Sequence, residues 1–142
     1  MSPTGAAAFC LADKKGNIKL IGRLQVPGED ETMDAYRSKV AGLCGIIWIL
    51  GHIEQFTGMQ TKGVILGCNN EEAGYQCIAS DEPIKTSMNH FNMLYASWKL
   101  STRIKQKLVY NHVEGHQMEI YGKENLDAWA RLNYEMDMHM KL

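Results

Sequence analysis

Residues 36–50, with the sequence YRSKVAGLCGIIWIL, show the clearest helical periodicity in this chain and decide where its core forms. The apolar side chains that share one helical face are Tyr36, Val40, Leu43, Ile47 and Leu50. Lys39 lies at the rim of that face, where a lysine must either extend to solvent or meet a negative group. The stretch therefore predicts a core helix with one cation at its edge.

The length and composition indicate one globular domain covering residues 1–142. A chain of 142 residues can bury roughly two thirds of the surface that it exposes when unfolded. We expect an intracellular protein, cytoplasmic or nuclear, that is neither secreted nor in a membrane. The N-terminus has no positive region ahead of an apolar one, and no apolar run approaches the ~20 residues of a membrane span. The formal net charge of −1 excludes a surface that is basic throughout, so nucleic-acid contact would need a local patch.

Strand and helix patterns alternate along the rest of the chain. The predicted elements are strands at 6–12 and 18–26, a helix from Asp30 or Thr32 to Phe56, a strand at 62–70, helices at 70–79 and 87–99, a strand at 107–113, a loop at 115–125 and a helix at 126–142. The turn-forming residues 13–17 join the first two strands into an antiparallel hairpin. This order predicts an α/β layer arrangement in which the hairpin precedes parallel crossovers.

The four cysteines predict free thiols in a reducing compartment. Cys10, Cys44 and Cys68 lie inside apolar runs, and none of these or Cys77 belongs to a Cys-x-x-Cys pair. Free cysteine packs like a small apolar residue, so we expect these side chains to be buried.

Three segments resemble ribonuclease H domains in their order and spacing. AYRSKVAGLCGI (35–46) is similar to the first helix of that family, and LGCNNEEA (66–73) to its strand that ends in Asp-Asn. HVEGHQ (112–117) and LDAWARLNYEMDM (126–138) resemble its Gly-His-Gln loop and its last helix. The closest similarity is to ribonuclease H domains attached to reverse transcriptases of mobile elements. The resemblance, over about residues 5–140, implies a three-layer fold with a mixed sheet, antiparallel hairpin plus parallel strands, flanked by helices.

In that family, four carboxylates hold two magnesium ions that cut the RNA strand of an RNA–DNA hybrid. Clustered anionic oxygens offset the repulsion between two divalent cations and orient the attacking water. The resemblance places Lys39 at the position of the helix glutamate and Asn69 at that of the strand aspartate. It keeps Asp137 as a catalytic and metal-binding carboxylate, and it puts the fourth carboxylate in a first strand that would precede Met1. We therefore expect no bound magnesium, and a Lys39–Asp137 ion pair in its place.

Three other carboxylates are alternatives for the missing ones. Asp13 follows an apolar run that could imitate the family's first strand, but the turn formers after it favour a hairpin. Glu31 or Asp34 could replace the helix glutamate, but both fall in the first helical turn, where acidic residues favour the helix dipole.

Two histidines lie near the predicted site. His116 matches the histidine of the family's Gly-His-Gln loop, which implies a catalytic role in assisting product release. His112 and His116 could also suggest a zinc pair, but a spacing of four brings side chains together on a helix, and this segment is a strand that leads into a loop.

Basic residues beside Trp98 are candidates for phosphate contact. Lys99, Arg103 and Lys105 lie close together in sequence. Asn70, at the position of the asparagine in the family's Asp-Asn motif, is a further candidate for nucleic-acid contact. The competing interpretation is a solvated helix end, whose lysines favour the dipole of the helix C-terminus.

Without the family's first strand, strands 6–12 and 64–68 would each have an unpaired edge, which proteins normally avoid. The chain could be a fragment of a longer polyprotein, it could take a strand from a partner chain, or the sheet could close across the gap. The leading hypothesis is a catalytically degenerate ribonuclease H-like domain with a nucleic-acid-binding or structural role and low affinity for an RNA–DNA hybrid. The alternative is an active magnesium-dependent ribonuclease H completed by an upstream segment or a partner chain.

Overall fold

A computed structural model describes residues 5–26, 35–58, 63–79, 84–88, 90–115 and 117–140. The predicted helix start at Asp30 or Thr32 lies outside these residues, as do the candidate carboxylates Glu31 and Asp34. His116 lies outside them too.

The N-terminal hairpin forms as predicted. Strand β1 (Ala6–Ala12) pairs antiparallel with β2 (Ile18–Gln25). Asp13 closes the turn between them, because its carboxylate accepts the backbone N–H groups of Lys15 and Asn17, each at 2.9 Å. Asp13 is therefore a turn residue, and its interpretation as the catalytic aspartate of a first strand is wrong.

Helix α1 (Ala35–Thr57) is the core helix. Val40 and Ile47 on its apolar face are fully buried. The helix ends at Thr57. The next residue, Gly58, has a φ of +64°, the left-handed conformation that glycine adopts without strain. Among the described helices, the stretch Tyr36–Thr57 is long and apolar enough to cross a membrane, which is weak evidence because soluble core helices pass the same test. The expectation of a protein outside the membrane therefore stays a prediction.

The segment after α1 contains one strand and two helices. Strand β3 (Val64–Cys68) leads into the short helix α2 (Glu71–Gly74), and a π-helical turn (Tyr75–Ala79) continues it. Helix α3 (Phe91–Ser101) begins four residues later than the sequence pattern predicts. His90, directly before it, has a φ of +60°, and a left-handed residue cannot belong to a right-handed helix.

The C-terminal part contains more helix than predicted. Strand β4 (Leu108–His112) pairs parallel with β3. The segment predicted to be a loop contains α4 (Gln117–Tyr121) and a 3₁₀ turn (Lys123–Asn125). These helical pieces are too short for their periodicity to be recognised in the sequence. Helix α5 (Ala128–Met140) ends the described chain.

The strands form two separate sheets and not one mixed sheet. In the described residues, β1 hydrogen-bonds only to β2, and β3 hydrogen-bonds only to β4. Both pairs contribute to one core cluster, because Leu66 of β3 belongs to it with Ile47 of α1, and Phe9 and Leu11 of β1 pack against it. The protein is thus an α/β protein with one antiparallel and one parallel sheet. The hypothesis that the sheet closes across the gap is wrong, and within the described ranges β1 and β3 each keep an unpaired edge.

All four cysteines are free thiols, as predicted. Only Cys77 is fully buried, and burial raises the pKa of its thiol to about 12. Cys10 and Cys44 are half-buried, and burial raises the pKa of both thiols. Because thiolates are the reactive form, these three cysteines are poor nucleophiles.

Glu54 connects α1 to the segment that joins α3 to β4. Its carboxylate accepts the backbone N–H of Lys105 at 2.9 and 3.1 Å, and that of Gln106 at 3.0 Å. These bonds, above all the one from Lys105, lower the pKa of Glu54. A carboxyl whose pKa is lowered by folding stabilises the native state above its unfolded-state pKa, and this contribution disappears as the pH falls through its folded-state pKa.

We therefore expect Glu54→Gln to be less stable than the wild type at neutral pH and to lose less stability on acidification from about pH 5 to pH 3. Urea unfolding followed by circular dichroism at several pH values measures both effects. Glu124→Gln, at an exposed position in the 3₁₀ turn, is the matched control. Parallel pH profiles for wild type and Glu54→Gln would contradict the prediction.

Candidate functional site

Lys39 and Asp137 form an ion pair that connects the first and last helices. Lys39 Nζ lies 3.3 Å from Asp137 Oδ1. Only 20% of the Lys39 side chain and 32% of the Asp137 side chain are exposed. Water and salt screen such a pair less than a pair on the open surface. The predicted ion pair is present, and the cation at the rim of the core helix meets a carboxylate.

Helices α1 and α5 lie on opposite faces of β1. Alternate residues of a strand point to opposite faces, and Phe9 points toward α1, where a Cβ at Gly45 would lie 2.9 Å from its ring. Cys10 points to the other face. Burial raises the pKa of the Cys10 thiol most, and the charge of Glu135 in α5 raises it further, from that face. Helix α5 packs directly against β1.

The ion pair joins two helices that lie on opposite faces of β1. Among the described residues, the edge of β1 that faces away from β2 has no partner strand. Helix α5 also reaches β3, since a Cβ at Gly67 would lie 2.7 Å from the ring of Trp129. Helix α5 therefore contacts both sheets, and the ion pair joins it to α1.

Asn69 lies at the end of the parallel sheet. It directly follows β3, and a Cβ at Gly115 would lie 3.2 Å from its amide nitrogen. The last paired residues of that sheet are Cys68 and His112, so Asn69 and Gly115 follow the same ends of two parallel strands. The structure thus brings Lys39 and Asp137 together, and for Asn69 it shows contact with the loop after β4.

Tyr110 links the ends of the two parallel strands. Its hydroxyl donates to the carbonyl oxygen of Cys68 at 3.0 Å and lies 3.0 Å from His112 Nδ1. Burial, followed by the neighbouring Cys68 thiol, raises the pKa of Tyr110, so the hydroxyl stays protonated at neutral pH. His112 Nε2 lies 3.7 Å from Glu114 Oε1. The nitrogens of His112 thus face neighbours within its own strand and the loop that follows.

The zinc pair of His112 and His116 is not tested by the structure, because His116 lies outside the described residues. Within the described ranges, no three His, Cys, Asp or Glu side chains converge as metal ligands. His116 is outside the described residues, so its predicted part in product release stays a prediction.

The four predicted nucleic-acid contacts lie in different surroundings. The side-chain oxygen of Asn70 caps α2 by accepting the backbone N–H of Ala73 at 3.0 Å. Lys99 lies in the last turn of α3, where it favours the helix dipole. Arg103 and Lys105 are exposed and line an open cleft beside α1. Lys99 is not among the residues that line this cleft.

The cleft contains residues that the sequence analysis missed. Trp48 and His52 of α1 line it together with Glu54. Their signal in the sequence is an aromatic residue at every fourth position, Trp48, His52 and Phe56, which places the three rings on one stripe of the helix. A core helix also carries aromatic residues, so this spacing alone did not indicate a binding surface.

Comparison with protein-family models, with curated proteins and with solved structures gives no match to this chain. The ribonuclease H-like resemblance therefore rests on the sequence motifs and stays a prediction.

We expect the Lys39–Asp137 pair to contribute a coupling free energy of about 1 kcal/mol. The double-mutant cycle uses Lys39→Met, which keeps the aliphatic stem, and Asp137→Asn, with urea unfolding as the measurement. The more exposed pair Lys19–Asp13, at 3.8 Å, is the matched control and should show a smaller coupling. Equal coupling in the two pairs would show that the partial burial of Lys39 does not strengthen its interaction.

Proposed function

We propose that this chain is a ribonuclease H-like domain that does not cut RNA by itself, because an ion pair replaces the metal ions. The supporting observation is the distance of 3.3 Å between Lys39 Nζ and Asp137 Oδ1. This contact joins two positions at which the motif resemblance places metal ligands of the family. The Lys39 ammonium group contacts the one remaining carboxylate. It occupies the space that a divalent cation would need and neutralises the negative charge that would attract the cation.

The charges at the three proposed ligand positions oppose metal binding. Lys39 is positive, Asn69 is neutral and Asp137 is negative, so together they carry no net charge. Two magnesium ions prefer several anionic oxygens and near-octahedral geometry. Two-metal hydrolysis also needs both ions to hold the attacking and leaving oxygens. A neutral set of three groups supplies neither the charge nor the ligands, and we propose that no magnesium binds here.

The remaining role in this proposal is contact with nucleic acid or structural support. Arg103 and Lys105 are exposed cations on a chain with a formal net charge of −1, so low affinity for an RNA–DNA hybrid is expected. Such binding should weaken steeply as salt rises, because phosphate contacts release counterions. An intracellular location is part of this proposal. Salt-independent or absent hybrid binding would leave a structural role.

The unpaired edges of β1 and β3 favour one alternative function. A strand from an upstream segment or a partner chain could pair with both edges and bring a carboxylate, which would give an active magnesium-dependent ribonuclease H. Such a strand would lie along the two open edges, and Asp137 would bind metal only after Lys39 leaves it. Magnesium-dependent cleavage of a hybrid by the purified chain would favour this alternative.

We expect calorimetric titration of the purified chain with MgCl₂ to show no binding, and no cleavage of an RNA–DNA hybrid. The double variant Lys39→Glu/Asn69→Asp restores two carboxylates and should acquire roughly millimolar magnesium affinity. It should be less stable than the wild type without metal, because three carboxylates repel one another. Magnesium at about ten times its Kd should then restore about 1.4 kcal/mol.

Lys14→Glu/Lys15→Glu, at the exposed hairpin turn, is the control for a general gain of negative charge. It should not acquire magnesium affinity. Magnesium binding by the wild type would contradict the proposed function. An equal response of the two double variants would show that the proposed positions do not form a site.

A further inference from the structure

An open cleft of about 630 Å³ lies beside the second half of α1, away from the Lys39–Asp137 pair. Residues of α1 form one wall, and the end of α3 with the segment before β4 forms the other. Its volume is within the range of small-molecule and nucleotide sites. None of the proposed metal-ligand positions lines it.

One wall of the cleft carries neighbouring aromatic rings. Trp48 and His52 lie with their ring centroids 4.4 Å apart in an edge-to-face arrangement. Phe56 continues the stripe beyond the cleft, at 6.3 Å from His52 and nearly parallel to it. About half of Trp48 (51%) and most of Phe56 (83%) are exposed. Large aromatic side chains left in water along one helix stripe indicate a surface that binds a partner.

The opposite wall carries positive charge. Arg103 and Lys105 are exposed, and in the part of the chain that the structure describes neither forms a salt bridge. Glu54 also lines the cleft, but its carboxylate already accepts three backbone hydrogen bonds from Lys105 and Gln106. Glu54 stays ionised, because these bonds lower its pKa, so Arg103, Lys105 and Glu54 together leave one net positive charge beside the aromatic rings.

We propose that this cleft binds single-stranded nucleic acid, with a base on Trp48 and the phosphates on Arg103 and Lys105. This inference rests on the proposed nucleic-acid role and gives it a location. Proteins that hold single strands combine cations for the backbone with aromatic side chains for the bases. A duplex would leave the rings uncovered, because its bases are already stacked on each other. An acidic peptide would use the cations and not the rings.

The test measures fluorescence anisotropy of a labelled oligothymidylate of about 12 nucleotides, which covers a typical single-strand site. Arg103→Ala/Lys105→Ala should weaken binding at least tenfold, and the slope of log Kd against log salt should fall by about 1.4. The matched control, Lys14→Ala/Lys15→Ala at the hairpin turn, removes the same charge and should change Kd less than twofold. Trp48→Ala should cost roughly fivefold or more, and Trp48→Phe should retain most of the affinity.

Several results would contradict the proposal in different ways. If both double variants weaken binding of the oligonucleotide equally, the cleft is not the site. If the oligonucleotide does not bind and an RNA–DNA hybrid does, the nucleic-acid role stands and this location is wrong. If neither nucleic acid binds, both fail. A polyglutamate peptide that binds as tightly, with no loss in Trp48→Ala, would overturn the choice of ligand.

Discussion

Replacement of Ile47 by alanine should lower the free energy of unfolding by about 2–5 kcal/mol. Ile47 lies in the middle of α1 and is fully buried. It belongs to the same core cluster as Leu66 of the parallel sheet, and Phe9 of the hairpin and Leu100 of α3 pack against that cluster. The smaller side chain loses the transfer free energy of its methyl and methylene groups and leaves a cavity that three separate elements would have to close.

Urea unfolding followed by circular dichroism measures this loss, and Ile65→Ala is the matched control. Ile65 is on the neighbouring strand with 57% of its surface exposed, so the same change of chemistry should cost much less there. A domain of this size has a total stability of about 5–15 kcal/mol, so Ile47→Ala should raise the unfolded fraction at 37 °C substantially. Equal losses at the two positions would mean that α1 does not organise the core.

Gly74→Ala should destabilise the protein by about 1–3 kcal/mol, although alanine is the better helix former. An added Cβ would overlap the ring of Tyr110, far inside contact distance. The ring cannot turn away freely, because its hydroxyl is bonded to the Cys68 carbonyl at 3.0 Å and lies 3.0 Å from His112. The clash must therefore displace either α2 or the end of β4.

Two variants separate this clash from the intrinsic preference for alanine in helices. At Gly51 in α1, a Cβ would meet only Ile104, at 3.9 Å, so Gly51→Ala should stabilise the protein by about 0.5–1 kcal/mol. Adding Tyr110→Leu to Gly74→Ala removes the ring and should remove much of the extra cost. Wild-type stability for Gly74→Ala, measured by urea unfolding, would show that the Tyr110 ring moves at no cost.

Most elements could be predicted from local sequence patterns. The hairpin β1–β2 and the strand β3 agree with their predicted positions within about two residues, because alternation and turn formers act over a few residues. The late start of α3 was missed because it depends on the left-handed conformation of His90, which no periodicity encodes. The helical pieces in 117–125 were missed because they are shorter than the patterns that identify helices.

The functional sites were also predicted only in part. The motif resemblance predicted the Lys39–Asp137 pair, and the two residues meet although 98 positions separate them in the chain. The cleft beside α1 was not predicted, because Trp48 comes from the core helix and Arg103 from the segment after α3. A sequence pattern shows that one helix carries exposed rings and another segment carries cations, but only the packing of α1 against α3 places them on facing walls.

Local patterns were sufficient to establish an α/β protein with a core helix at 36–50 and a cation at its rim, because hydrophobic periodicity and turn chemistry act over a few neighbouring residues. They could not establish that the strands form two sheets, or that Lys39 Nζ lies 3.3 Å from Asp137 Oδ1. Strand pairing and ion pairing depend on how layers distant in sequence pack around one core. Lys39 in YRSKVAGLCGIIWIL is therefore an exception to the local apolar pattern, and its ionic partner, Asp137, lies far away in the sequence.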